Sequence, residues 1–282
     1  MNVLRKLCIL TISSFLLSLI YSCGSSSRNE LIQNLPDTLK IGTLYSPTSF
    51  FIFRGDTLGY EYERIQNFVS DKKIHSKFYI ARNMAEMISM LDSGKIDIIA
   101  YEIPIINEYK NTLINCGNET VTTQVLVQPK SDNMITDVTQ LIGKDIYVEQ
   151  NSKYEIRLRN LDNEVGGGIS IHSINKDSII TEDLIKMVAE RQIPLTIVDS
   201  DIAKLNQTYF KNIDINLPIS FEQRASWAVN KSNSVLADSI NAWADTSKSI
   251  IDNKRLLKRY FERSRSKDTD LSIPKINFIN GR

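Results

Sequence analysis

Residues 39–68 read LKIGTLYSPTSFFIFRGDTLGYEYERIQNF, and three local patterns succeed one another within them. LKIGTL (39–44) has the apolar alternation of a β-strand. Phe50 to Phe53, a turn at Arg54-Gly55-Asp56 and a return through Leu58 predict a hairpin. From Glu61 to Ser70 the period changes. Tyr62, Ile65, Phe68 and Val69 fall at helical spacing, so a helix follows at once. A strand, a hairpin and a helix with no long connection between them open an α/β fold.

The alternation continues on the C-terminal side. HSKFYIA (75–81) predicts a strand. Met84 to Ser93 predicts a helix closed by Gly94, whose freedom at positive φ suits a C-cap. KIDIIAYE (95–102) is an almost unbroken apolar run, as expected of a strand covered on both faces. VTTQVLVQ (121–128) reads as one further strand, after which the pattern restarts. VTQLIGKDIYVEQNS (138–152) predicts a short helix, a glycine turn and a strand. A helix from Tyr154 to Asp162, a strand in GISIHSI, a helix from Glu182 to Arg191, a strand in IPLTIVDS and a short helix from Ile202 to Leu205 follow. RASWAVN (224–230) is a returning strand, and helices are expected over Ser234 to Ile250 and Asn253 to Glu262. Two successive α/β units predict two lobes with largely parallel sheets. Ligands of such sheets bind beyond the carboxyl ends of the strands, so the expected site is an interlobe cleft.

Three blocks carry a family resemblance. Residues 39–68 resemble the opening of the family 3 extracellular solute-binding proteins, with Gly59, Tyr60, Glu61 and Glu63 at the signature positions. MLDSGKIDIIAYE (90–102) resembles the next block, and VTQLIGKDIYVEQNS the start of the second lobe. The resemblance spans about Leu39 to Phe261. It implies a two-lobed, periplasmic-binding-protein-like fold of type II: 39–125 as the first part of lobe one, 126–219 as lobe two, and 220–262 as the return to lobe one with the C-terminal helices. Residues 263–282 are then a tail. NCGNETVTTQVLVQ and IDIIAYEIPIINEYK are similar to the binding module at the front of membrane-bound lytic transglycosylase F-like lipoproteins, in their Bacteroidota versions. In that family a lysozyme-like domain with a Glu-Ser catalytic acid follows. This sequence contains no Glu-Ser pair and about twenty residues after Phe261, so no catalytic residue is expected in it.

The N-terminal region points to a membrane surface. Arg5 and Lys6 precede an apolar run, Leu7 to Ile20, with the length of a secretory h-region and short of the ~20 residues of a spanning helix. Ile20-Tyr21-Ser22-Cys23 resembles a bacterial lipobox, with Tyr21 bulkier than usual there. Residues 1–22 are thus expected to be a lipoprotein signal peptide, Cys23 the acylated residue, and 23–38 a polar linker. Cleavage removes two basic groups and no acid, so the formal charge moves from +1 to −1. That balance offers no electrostatic reason for a nucleic-acid partner. Of the three cysteines only Cys116 stays free, which excludes an internal disulfide framework and fits a small buried side chain. His75 and His172 have no metal-ligand spacing, and no cofactor is expected.

In amino-acid-binding members of the family an Arg clamps the ligand carboxylate, a second-lobe acid meets its ammonium, and aromatics of the first loop pack on its side chain. Tyr109 stands where the Arg is expected, so the resemblance implies a lost carboxylate clamp. Tyr45 and Phe50 are the aromatic candidates, with Thr43 and Ser46 as hydrogen-bonding groups; Phe50 and Phe51 point oppositely, so at most one faces the cleft. Glu102 at a strand end is either a site acid or a solvated residue. Ser152 either meets the ligand or caps the helix that follows it. Asp199 is preferred over Asp201 as the ammonium acceptor. Trp227 and Trp243 are expected in the core. Lys254 to Lys267 is a basic stretch, read as a solvated face. The expected function is a monomeric, lipid-anchored envelope protein binding an amino-acid derivative or a peptidoglycan-derived peptide, with an ABC permease or peptidoglycan as further partners. The rivals are the regulatory half of a lytic transglycosylase and a ligand-free sensor or scaffold.

Overall fold

The computed structural model describes residues 35–46, 48–53, 55–174 and 179–262. Cys23, most of the linker and the basic residues beyond 262 lie outside them. In the first lobe, β1 (Thr38–Leu44) is followed by the hairpin β2 (Phe51–Phe53) and β3 (Asp56–Leu58), then α1 (Tyr60–Lys72), β4 (His75–Ala81), α2 (Met84–Asp92), β5 (Ile98–Pro104) and β6 (Leu113–Thr122). The second lobe contains β7 (Gln124–Pro129), β8 (Asp145–Glu149), α3 (Lys153–Glu164), β9 (Ser170–Ile174), α4 (Thr181–Ala189), β10 (Thr196–Asp199), α5 (Ser200–Gln207) and β11 (Ile213–Asp214). The chain returns through β12 (Gln223–Asn230), α6 (Ser234–Ala244), α7 (Ser247–Leu257) and a π-helical turn, Lys258–Glu262.

The strands form two five-stranded sheets, ordered β4-β1-β5-β12-β6 and β11-β7-β10-β8-β9. They are mixed rather than largely parallel. β1 runs parallel to β4 and β5, and β8 parallel to β9 and β10, but β12 and β7 are antiparallel to all their neighbours. Each sheet carries its own apolar core. Met87, Leu91, Ile99 and Ile103 pack in the first lobe, and Leu126, Ile146, Leu158, Ile185 and Ile197 in the second.

Residues 121–128 are two strands in two sheets, divided at Thr123, and not one. The pairing decides this: Val121 and Thr122 face Arg224 and Gln223, whereas Gln124 to Val127 face β10. The first half of that ladder, NCGNETVT on β6, is an edge strand with half-exposed polar positions, which hides it from an apolar-run criterion. The second crossing lies beside the first. Ile219 N–H donates to Gln124 O and Leu126 N–H to Leu217 O, both at 2.9 Å. The two crossing segments are thus bonded to each other, the arrangement of a two-stranded hinge.

The C-terminal helices divide earlier than their sequence pattern predicts. The break falls at Asp245-Thr246 rather than after Ile250, because the Thr246 hydroxyl accepts from Ser249 N–H at 3.2 Å and starts α7. Gly59, just before α1, has φ 138°, and a Cβ there would stand 2.2 Å from Ser49 O. Backbone conformation and close approach both require glycine at this joint between hairpin and helix. Gly59→Ala is expected to cost roughly 1–3 kcal/mol, read as a lower urea midpoint with an unchanged slope.

Candidate functional site

The carboxyl ends of β1, β5, β8 and β10 converge between the lobes. There Lys153, first residue of α3 and 6 % exposed, sends its ammonium across the cleft. Its Nζ donates to Glu102 Oε2 of β5 at 3.0 Å and forms an ion pair with Asp199 Oδ2 at the end of β10. Tyr154 OH donates to the same Asp199 oxygen at 3.2 Å. Lys153 thus joins a first-lobe carboxylate to a second-lobe one.

The electrostatics follow from burial and proximity. Burial disfavours the charged lysine, but Asp199 and Glu102 outweigh it and hold the ammonium well above its ordinary value. Burial also opposes Glu102, yet the Lys153 charge and hydrogen bond bring its carboxyl below the usual range. For Asp199 burial wins, and its carboxyl is pushed up to about 6 against the pull of Lys153.

Beside this triad lies a pocket of about 250 Å³. Tyr45, Ser46 and Thr48 from the loop after β1, Arg82 after β4 and Tyr101 on β5 line its first-lobe wall. Glu149 at the end of β8, Tyr154 on α3, and Thr181 and Glu182 at the start of α4 line the opposite wall. A smaller recess on the other side of Glu102 and Lys153 is bounded by Ser49, Tyr60, Glu61, Asp201 and Phe261. Among the described residues no group of three or more His, Cys, Asp or Glu could hold a metal ion.

The model of the bacterial extracellular solute-binding proteins, family 3, matches residues 39–263. The chain belongs to this family. The membrane-bound lytic murein transglycosylase F of Pseudomonas fluorescens (strain Pf0-1) is 29% identical over 227 residues, which are 79% of this chain and 46% of that protein. Its counterpart in Desulfosudis oleivorans is 29% identical over 217 residues, again 46% of its length. The solute-binding protein therefore spans about half the length of these curated relatives, as a match to a binding module alone requires. Among solved structures, a mutant of ArgBP from T. maritima superposes with a TM-score of 0.70 at 19% identity, covering 83% of this chain and 100% of that one. An ancestral arginine-binding protein bound to arginine gives 0.69 at 20%, covering 81% and 100%. A histidine kinase sensor domain gives 0.65 at 14%, covering 79% and 95%. The fold is the type II periplasmic-binding-protein fold.

Of the residues singled out in the sequence, Tyr45 and Ser46 line the pocket, and Glu102 and Asp199 meet through Lys153. Thr43 does not reach the pocket: it is buried, and its hydroxyl donates to Ala100 O at 3.3 Å within the sheet. Phe50 also turns away, with its ring 5.5 Å from those of both Tyr62 and Phe78. Ser152 caps α3, accepting from Glu155 N–H at 3.2 Å while donating to Glu149 O at 2.7 Å, so its hydroxyl is spent on the protein. Tyr109 packs, half-buried, against the first-lobe core. Cys116 is buried, and burial pushes its thiol up to about 12, which makes it a packing residue and no nucleophile. Trp227 and Trp243 stack in the core at 6.3 Å between centroids.

Lys153, Glu149, Glu182, Tyr101 and Tyr154 escaped the sequence reading. One signal was available for Lys153. A lysine in the first turn of a helix opposes the helix dipole, so its place directly after the Ser152 cap asks for a buried anion opposite. Lys153→Met removes the cation and leaves Glu102 and Asp199 in the cleft. The expected loss is about 3–5 kcal/mol by urea denaturation, with partial recovery on adding Glu102→Gln. Losing Lys153 raises Asp199 further above its unfolded value. A carboxyl raised on folding keeps its full contribution below the unfolded pKa and loses it as pH climbs through the folded one. The deficit is therefore expected to be smaller at pH 5 than at pH 8.

Proposed function

We propose that this chain is a lipid-anchored solute-binding protein of the bacterial envelope that closes its lobes over a small ligand and cleaves nothing itself. The observation that carries the reading is the pocket of about 250 Å³ at the strand ends, walled by both lobes. The ligand class we favour is an amino-acid derivative or a peptidoglycan-derived peptide. A free α-amino acid held in the family manner lacks both halves of its clamp here. Tyr109 has joined the core, and Asp199 is already neutralised by Lys153. The transglycosylase relatives favour the cell-wall peptide over other solutes. They also support a second reading, in which the module regulates a transglycosylase domain. The Lys153 bridge supports a third, a scaffold closed without ligand.

The purified chain, screened by thermal shift against amino acids and cell-wall peptides, tests the reading. A ligand at 100-fold excess over its Kd stabilises the folded state by about 2.7 kcal/mol. The expected result is a shift with peptides or derivatives, none with simple α-amino acids, and a weaker shift in Tyr45→Ala, which strips an aromatic wall from the pocket. Silence across the panel, together with lobes that stay closed by small-angle scattering, favours the scaffold. Localisation has its own test. Cys23→Ser is expected to abolish fatty-acid labelling and to release the protein from membranes, and labelling that persists in the variant refutes the anchor.

A further inference from the structure

We propose that the interlobe pocket receives an organic cation, an ammonium or guanidinium group of the ligand, between Glu149 and Glu182; the proposal rests on the reading of this cleft as a ligand site. Asp199 and Glu102 already have a cationic partner in Lys153, although Asp199 Oδ1 is buried without a hydrogen-bond partner. Two acids without an ion-pair partner among the described residues stand on the opposite wall. Glu182 lines the pocket and is 9 % exposed, and its Oε2 is buried without a hydrogen-bond partner. Glu149 lines it too, held in place by Thr181 Oγ1, which donates at 2.8 Å.

The charges facing Glu182 from the packed elements are mostly negative. They are Glu149 on β8, Asp183 on α4 and Asp201 on α5. Asp183 is occupied in accepting from Ile180 N–H at 3.2 Å. Across the pocket stands Arg82, whose guanidinium is engaged with Glu86 at 3.0 Å. The start of α4 explains how carboxyls gather here, since a helix N-terminus favours anions. It does not neutralise them. Burial, with these neighbours, pushes Glu182 up to about 8; burial and Asp183 push Glu149 up to about 7, against the pull of the Thr181 hydrogen bond and the Lys153 charge. The empty pocket thus retains protons that an entering cation displaces. An anionic ligand meets carboxyls, and a neutral one leaves Glu182 without a charge partner. A cation makes charge-assisted hydrogen bonds with both acids, in a pocket also lined by Tyr45, Tyr101 and Tyr154.

Cadaverine, pentane-1,5-diol and glutarate share one chain length and differ only in end groups. Each is titrated into the full chain by thermal shift and calorimetry. The expected result is a response to cadaverine alone. Its affinity should rise from pH 6 to pH 9, with proton release visible as a heat that depends on the ionisation enthalpy of the buffer. Glu182→Gln should weaken cadaverine about tenfold or more, the loss of a hydrogen bond to a charged group, and Glu149→Gln should weaken it likewise. Unliganded Glu182→Gln should fold at least as stably as the parent, since it removes a buried unpaired acid. A response to the diol or to glutarate overturns the cation assignment and leaves the cleft as a ligand site. So does a cadaverine response indifferent to both Gln variants. Silence with all three probes also overturns the assignment, whereas the cleft reading stands or falls on the peptide panel and Tyr45→Ala.

Discussion

One ammonium group decides what this cleft can be. The Lys153 side chain leaves the first turn of α3, against the helix dipole, because Glu102 and Asp199 together outweigh the desolvation of the buried ammonium. It draws Glu102 on β5 and Asp199 at the end of β10 together, and Tyr154 donates to the same Asp199 oxygen that Lys153 pairs with. A solute-binding fold normally leaves an interlobe acid for its ligand. Here the chain supplies the counter-ion itself, so part of the free energy of closure is intramolecular. A ligand shifts an open–closed equilibrium only by its differential affinity for the two states. The built-in bridge therefore leaves less of that differential affinity for any ligand to supply.

The signature Gly59-Tyr60-Glu61 has an architectural meaning in this structure. Gly59 lets the hairpin touch the start of α1. Glu61, buried, accepts from Arg64 at 3.0 Å and from Trp227 Nε1 at 2.5 Å, and the Arg64 guanidinium lies 4.7 Å from the Trp227 ring. A helix of the first lobe is thereby locked to β12, the strand that returns from the second. Burial raises the Glu61 carboxyl, while Arg64 and Trp227 counter it. These residues brace the lobe on which the first-lobe wall of the pocket is built.

The sequence disclosed what depends on local patterns and concealed what depends on partners. The strands β1, β4 and β5 and the helices α1 and α2 were legible because their apolar residues keep one period over many positions. The division at Thr123 was not, since Val, Thr and Gln continue the same alternation while the chain passes from one sheet to the other. Mixed strand direction was equally hidden, because the sense of a strand is set by its neighbours. Near the cleft, the family resemblance points to Tyr45 and Asp199, but the Lys153 that pairs Asp199 with Glu102 has no local signature beyond its place after a helix cap. Thr43 and Phe50 were misjudged because nothing local tells a pocket hydroxyl from one bonded inside a sheet, or a cleft aromatic from one stacked on Tyr62. Glu182 lies in a helix start rich in acids, where a surface role is the ordinary expectation.

The route of the chain also fixes which part moves. β1 begins in the first lobe, and the π-helical turn at the far end returns there, where Tyr260 accepts from Gly59 N–H at 2.9 Å and bonds Glu63. The second lobe is inserted between two neighbouring crossings bonded to each other. A tether before Thr38 and any segment after Glu262 would both pull on the same lobe. The second lobe, joined to the first by its two crossings and the Lys153 bridge, would carry none of that load, and whatever reads its position from outside would have to touch that lobe directly.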